Sequence, residues 1–187
     1  MGLWIQSLEE IPADAKRNYY IYLLDYGWSE PLGDVLKANF EKMAESASKN
    51  NAVVVKGTDR IHFENEVLSY HRINGEDAED ILPAILITNR NPHQFKEMNT
   101  LNLNLKSYDF KMILIPIRKF CKSSTDVIEL IDKIFKDIKG KKVLNDFVVS
   151  KVIKKDKGRN IVDSLILEPN ISGVGIDLKK LIKSFSK

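Results

Sequence analysis

The sequence predicts an α/β protein built on a single mixed β-sheet flanked by helices. Three observations carry that expectation. Ile81–Thr88 is a short apolar run closed by Asn89-Arg90-Asn91-Pro92, the pattern of a strand buried on both faces. Tyr19–Leu24, Ala52–Val55 and Met112–Ile117 are further apolar runs that can pair with it. Between these runs, apolar residues recur three and four positions apart, as amphipathic helices require.

Residues 1–17 read as an arm in which Leu3, Trp4, Ile5 and Leu8 pack and Ile11-Pro12 breaks the segment. Tyr19–Leu24 is the first strand, rich in β-forming residues. Asp25-Tyr26-Gly27-Trp28 turns the chain. Ser29 is placed to cap a helix with Pro31 in its first turn. Leu32, Val35, Leu36, Phe40, Met43 and Ala47 carry that helix to about Ser48. Ala52–Val55 is the second strand, ended by Gly57. Phe63, Val67, Leu68 and His71 suit a short helix face, while Val67–Ile73 also suits a strand. Asn74-Gly75 is turn chemistry, and Glu76–Leu82 reads as one or two helical turns.

After the central strand, Pro92 opens a short helix through Phe95 and Met98. Leu101, Leu103 and Leu105 alternate with Asn102 and Asn104 as in a half-exposed strand. Met112–Ile117 is a strand whose Pro116 cannot donate to a ladder, which places it at an edge or a strand end. Ser124 or Thr125 caps a helix with Val127, Ile128, Ile131, Ile134, Phe135 and Ile138 on its apolar face and Gly140 at its C-cap. Phe147–Ile153 and Ile161–Leu167 read as a hairpin around Asp156-Lys157-Gly158. Ile171–Ile176 adds a strand, and Asp177 caps a last helix. The expected organisation is one domain over 1–187, with an arm (1–17), a core (19–139) and a basic hairpin and helix (143–187).

Composition bounds the function. With 43% hydrophobic and 29% charged residues, the chain of 187 belongs to the globular class. It has no apolar run of about 18 residues, so no membrane span is expected. The first residues lack the basic region and long apolar core of a signal peptide. Gly2 invites myristoylation, but Gln6 stands where that motif wants Ser or Thr. The lone Cys121 cannot form an internal disulfide, which fits a reducing, cytoplasmic setting. The net charge of +3 hides a polarity. Residues 1–90 hold 9 Lys/Arg against 15 Asp/Glu, and 91–187 hold 20 against 11. Such polarity marks a nucleic-acid face, an acidic partner or simply two solvated surfaces.

The element order over residues 19–139 resembles the thioredoxin-like core. Asp25-Tyr26-Gly27-Trp28-Ser29-Glu30-Pro31 stands where that family carries an acidic-aromatic strand end, a Trp and its active-site turn. Pro83 opens the central strand, where the resemblance implies a cis-proline facing that turn. Two departures matter. Ser29 and Glu30 stand near the family's cysteine positions, and 90–110 is a long insertion between strands that the family joins by a short hairpin. The resemblance thus implies the fold without disulfide exchange, because no second cysteine can resolve a mixed disulfide.

Candidate chemistry is sparse. Arg118, Lys119 and Lys122 flank Cys121 at a helix start, which would lower a thiol pKa. A structural cysteine competes with that reading, since the three histidines lie far away in sequence. The stretch from Asp59 to Asp80 holds His62, Glu64, Glu66, His71, Glu76, Asp77 and Glu79. It matches no metal signature and also reads as a solvated acidic face. Asp25 and Asp59 follow the first two strands, so in a parallel pair they share one rim with Tyr26, Trp28 and Thr58. Gly173-x-Gly175 lacks a phosphate loop's remaining residues. Lys151, Lys154, Lys155, Lys157 and Arg159 make a basic hairpin tip, with Lys141, Lys142, Lys179, Lys180 and Lys183 nearby in sequence. A basic ribbon grips phosphates, although edge lysines also serve to block strand pairing.

These observations lead us to expect a non-catalytic macromolecular interaction module with a protein partner, without cofactor or metal. The Lys-, Ile- and Asn-rich composition suggests a component of a bacterial multi-protein system. The alternatives are a protein that binds the nucleic-acid backbone through the basic C-terminal half, and a metal-dependent hydrolase using the carboxylates of 59–80.

Overall fold

In a computed structural model that describes residues 1–25, 29–58, 63–74, 81–101, 110–150, 166–167 and 176–177, the chain runs as β1 (Gly2–Ile5), β2 (Tyr19–Leu24), α1 (Pro31–Ala38), α2 (Phe40–Ser48), β3 (Ala52–Gly57), α3 (Phe63–Tyr70), β4 (Ile73–Asn74), β5 (Ala84–Thr88), α4 (Pro92–Leu101), β6 (Met112–Pro116), α5 (Ile117–Phe120), α6 (Ser124–Lys139), β7 (Ile166–Leu167) and β8 (Ile176–Asp177). The main sheet has the order β1-β3-β2-β5-β6-β7. β3 is parallel to both β1 and β2. β5 is antiparallel to β2 and β6, and the two residues of β7 are antiparallel to β6. A mixed sheet with helices is therefore the observed class. Its four central strands and their order suggest a thioredoxin-like arrangement. The Leu82–Pro83 peptide bond is cis.

β2 and β5 lie at the middle of the sheet, and every residue of both is buried. That is why neither shows polar alternation: helices cover both faces. Alternation along β2 separates the two layers. Tyr22 meets His71, just after α3, with ring centroids 5.0 Å apart. Tyr19, on the other face, meets Phe147 beyond α6 at 5.8 Å. α3 and α4 thus form one layer, while α1, α2 and α6 pack together on the other. α6 presents Val127, Leu130, Ile131, Ile134 and Ile138 to the core, all buried. Five side chains at this spacing form the apolar stripe of a core-facing helix.

Several local expectations change in the structure. The single long helix to Ser48 is two helices, divided at Asn39 (φ −94°, ψ 3°). The Asn39 side chain donates to the Val35 carbonyl at 2.9 Å, a local bond that competes with helix continuation. The cap of α1 is Glu30, which accepts from the Gly33 N–H at 2.8 Å. Ser29 instead donates to Asp34 at 2.7 Å. The cap of α6 is Ser123, one residue before the expected pair, in a capping box with Asp126. Gly140 has an ordinary φ of −75°. The left-handed residue is Lys141 at φ 51°, so the turn after α6 does not use the glycine's freedom. The arm is not only an arm: β1 adds an edge strand, with Trp4 packed on Phe40 at 5.8 Å. Of the expected hairpin, residues 148–150 are helical, and Ile166–Leu167 pairs with β6 instead. Phe147 and Val149 are buried, so an apolar run read as a strand is here a packed helix start. Pro116 closes the ladder opposite Ala84, and the described residues of β7 pair with Met112 and Ile113. Met98 and Leu101 fall within α4. Residues 102–109, Gly75–Asp80 and the tip of the expected hairpin lie outside the described residues.

Candidate functional site

The topology gathers five chain segments at one end of the sheet. β2 starts there and, being parallel, so does β3. β5 runs the other way and ends there, and β6 starts there again. The residues just outside these strands are Lys16, Arg17 and Asn18 before β2, Asn51 before β3, Asn89, Arg90 and Asn91 after β5, and Lys111 before β6. Lys141 and Lys142, after α6, reach the same place. Together they line an open cleft of about 520 Å³ that, among the described residues, holds six Lys or Arg residues and one acid, Asp14. That size falls within the range of small-ligand sites.

Buried polar bonds build the cleft walls. The Asn91 amide donates to the carbonyls of Pro12 (3.0 Å) and Ala15 (3.1 Å). The Tyr20 hydroxyl donates to the Ala15 carbonyl as well. His93 Nε2 lies 2.7 Å from the Ile11 carbonyl. These contacts fix residues 11–15, and so fix where Lys16 and Arg17 emerge. Glu9 holds the same arm against α3 and α4 by accepting from the Tyr70 hydroxyl at 2.6 Å and from Lys96. The Asn18 N–H donates to the Asn51 carbonyl at 2.8 Å. Asn51 also accepts from Arg17 Nη1 at 3.2 Å. Behind the far wall, outside the lining, fully buried Asp137 accepts from Lys142 Nζ at 2.6 Å and from the Val148 N–H. Tyr19 donates to the Lys142 carbonyl at 2.7 Å. Burial pushes the Tyr19 hydroxyl up, with Asp137 adding to it, and burial does the same for Tyr20. Both phenols therefore stay protonated donors at neutral pH.

The cations are not equivalent. Lys142 already serves Asp137. Arg17 and Arg90 are half-buried, and the Nε of each is shielded from water with no hydrogen-bond partner. A buried donor left without an acceptor costs about 1–3 kcal/mol. The Arg90 guanidinium sits 6.0 Å from the Phe110 ring centroid, near the limit for a cation–π contact. With one acid against six cations among the described residues, and Lys142 paired with Asp137, the described lining is net positive, and a concave low-dielectric wall concentrates that potential.

The expected rim lies at the opposite end of the sheet. Asp25 sits 3.6 Å from Lys37, which is also 3.6 Å from Asp34. The Ser29 hydroxyl, and secondarily Lys37, hold the Asp34 carboxyl below its usual range. Glu30 accepts from Arg118 Nε at 3.3 Å as well as from Gly33. Thr58 binds the Ile5 carbonyl through its N–H at 2.8 Å. The Glu30 contacts cap α1 and tie it to α5, while Thr58 ties the end of β3 to β1. Tyr26, Trp28 and Asp59 lie outside the described residues, as do Lys151, Lys154, Lys155, Lys157 and Arg159. Gly173 and Gly175 do too.

Within the acidic stretch, Glu66 accepts from the Ser7 hydroxyl at 2.6 Å and from the Leu8 N–H at 3.1 Å. His71 is fully buried among aromatic rings. Among the described residues, no three His, Cys, Asp or Glu side chains are grouped to hold a metal ion. Cys121 is buried, and burial, reinforced by Asp126, pushes its thiol up to about 11. The flanking cations do not make it a thiolate, and the structural reading of Cys121 stands. Among the described residues, no helix is long and apolar enough to cross a membrane.

Sequence reasoning placed the basic function only in the C-terminal half and missed Lys16, Arg17, Arg90 and Lys111. A signal was present: each stands within three residues of a strand terminus. Once β5 is antiparallel to β2, those termini meet. Comparison with protein-family models, with curated proteins and with solved structures gives no match to this chain.

Proposed function

We propose that this chain is a non-catalytic interaction module whose partner is a nucleic acid, gripped by its phosphate backbone in the cationic cleft. One observation carries the reading: among the described residues, six cations stand against one acid around a 520 Å³ cleft, with no nucleophile–base pair in its lining. Lys141 and Lys142, the first of the basic residues grouped with the C-terminal hairpin, belong to this lining and support the phosphate-binding alternative. The frame we read is thioredoxin-like without redox function, supported by the strand order and by Cys121 being the sole cysteine. The lone cysteine and the composition support a cytoplasmic, bacterial setting within a multi-protein system.

The test is fluorescence anisotropy with labelled single-stranded and duplex oligonucleotides across a salt series. Each phosphate neutralised contributes about −0.7 to −0.9 to the slope of log affinity on log salt. We expect a slope of roughly −3 to −4 if four or five cleft cations engage. Lys16→Glu with Lys141→Glu should abolish binding. Lys49→Glu with Lys133→Glu should leave it intact, since those lysines pair with Glu45 and Glu129 on exposed helix surfaces. Salt-independent binding, or equal loss in both variants, would refute the proposal.

A second reading, a protein partner, has its own observation. Trp4 is 63% exposed on the edge strand β1, with Lys56 Nζ 5.1 Å from its ring centroid. Exposed edges accept strands from other chains. A crosslink from Trp4→p-benzoylphenylalanine to a specific protein would favour it, and absence of any crosslinked product would end it.

A further inference from the structure

We infer that Arg17 and Arg90 form a two-arginine anchor for a single phosphate group within the cleft. This inference rests on the proposed reading of the cleft as a phosphate-binding site and names the group it holds. Four observations converge on these two residues.

First, the side chains stand on neighbouring strand extensions. β2 and β5 are hydrogen-bonded partners with Tyr20 opposite Thr88. Arg17 precedes Tyr20 by three residues, and Arg90 follows Thr88 by two. Adjacent strands lie about 4.8 Å apart, so the two side chains leave neighbouring chain segments, and both line the same cleft. Second, each Nε is out of contact with water and has no acceptor. An arginine in that state gains a hydrogen bond when an oxygen entering the cleft reaches it. A phosphate presents two oxygens in the spacing that the fork takes as a bidentate pair. Third, each side chain is held at the wall: Arg17 through its Nη1 bond to Asn51, and Arg90 beside Phe110. Less side-chain freedom is then lost on binding. Fourth, the one acid of the lining, Asp14, is exposed, and the neighbouring Asn91 amide is spent on the Pro12 and Ala15 carbonyls. Among the described residues, neither arginine has a carboxylate partner in the cleft wall to displace.

The cleft is several times larger than a phosphate ion, so the anchor would take one phosphate of a larger ester and leave room for the sugar and base beside it. The lysines Lys16, Lys111 and Lys141 would supply sequence-independent charge around it.

Arg→Lys variants test this, because lysine keeps the charge and removes Nε and the fork. The probes are a labelled oligonucleotide and inorganic pyrophosphate as competitor, with the full chain in each case. Arg17→Lys and Arg90→Lys should each weaken oligonucleotide affinity about tenfold or more at constant salt. The salt slope should stay that of the wild type, since no charge is lost. Lys16→Ala, in contrast, should lower the slope by about one and the affinity only through it. Pyrophosphate should compete with the wild type and compete more weakly with the Arg→Lys variants. Thermal melts of the free proteins report folding: Arg90→Lys should melt no lower than the wild type, because it removes an unsatisfied buried donor.

Arg→Lys variants that bind as tightly as the wild type overturn the anchor while leaving the cleft's polyanion reading in place. Binding of pyrophosphate without oligonucleotide binding overturns the nucleic-acid reading and keeps the anchor. Binding of neither probe by the wild type overturns both.

Discussion

Lowering the pH from 7 to 4 protonates His71 in the unfolded chain before it does so in the folded one. In the native protein the ring is fully buried, 5.0 Å from Tyr22 and 4.6 Å from Phe95 between centroids. Nδ1 lies 2.7 Å from the Val67 carbonyl, so Nδ1 carries the hydrogen of the neutral ring. Nε2 is buried without a partner, so an added proton there would find no acceptor. Burial pushes the pKa down from 6.5 to about 4, and the Val67 bond opposes it weakly. Folding therefore favours the neutral form. The stability is present above pH 6.5, is lost as pH falls through the window from 6.5 to about 4, and changes no further below it. At about 1.4 kcal/mol per pKa unit, the loss across that window is about 3 kcal/mol. That is a large share of the roughly 5–15 kcal/mol by which domains are stable. The assay is urea unfolding of the wild type and of His71→Phe at pH 7, 6, 5 and 4. Carboxylate titrations are common to both proteins, so the difference between the two curves isolates His71. Phe fits the aromatic surroundings, and its constant offset from losing the Val67 bond does not affect the slope. We expect the wild type to lose about 3 kcal/mol relative to the variant between pH 7 and 4. Parallel curves would refute the reasoning from burial.

Three further outcomes follow from the same structure. Asp137→Ala should lower unfolding free energy by about 2–4 kcal/mol, because it strands the Val148 N–H and frees Lys142 from a carboxylate with no exposed surface; a loss under 1 kcal/mol by chemical denaturation would contradict this. Cys121 should resist a disulfide reagent at pH 7 in the native protein and react fully in denaturant, since its thiol is buried and pushed up to about 11; rapid native labelling would show the site to be open. Lys141→Gly should raise the melting temperature, with a gain of about 1 kcal/mol, because Lys141 holds φ 51° where glycine has no penalty. The same substitution also removes one cleft charge, so its effect on salt-dependent binding can be read in parallel.

The strands and their burial were legible in the sequence. Tyr19–Leu24 and Met112–Pro116 are runs of β-forming residues without polar interruption, and only a sheet covered on both faces accommodates them. The apolar spacing of Val127, Ile131, Ile134 and Ile138 defined α6 for a similar reason: a 3.6-residue period has no other packed solution. Helix ends were less legible. Ser29, Glu30 and Ser123 are all capable caps, and the choice among them depends on which backbone N–H ends up without a helical partner. The helical start at 148–150 was misread because a short apolar run with buried Phe147 and Val149 has no decisive period.

The cleft, in contrast, was decided by tertiary structure. Lys16, Arg17, Arg90, Lys111, Lys141 and Lys142 are scattered over more than 120 residues, and no local rule links them. They meet because β2 and β3 run parallel, β5 and β6 alternate in direction, and α6 returns the chain to the same end of the sheet. The sequence by itself determined the class of fold and the identity of the buried strands, because burial and periodicity are local properties of residue type. Only the direction and register of strand pairing decided which charges share a surface, because Coulomb interactions follow distance in space and not separation along the chain.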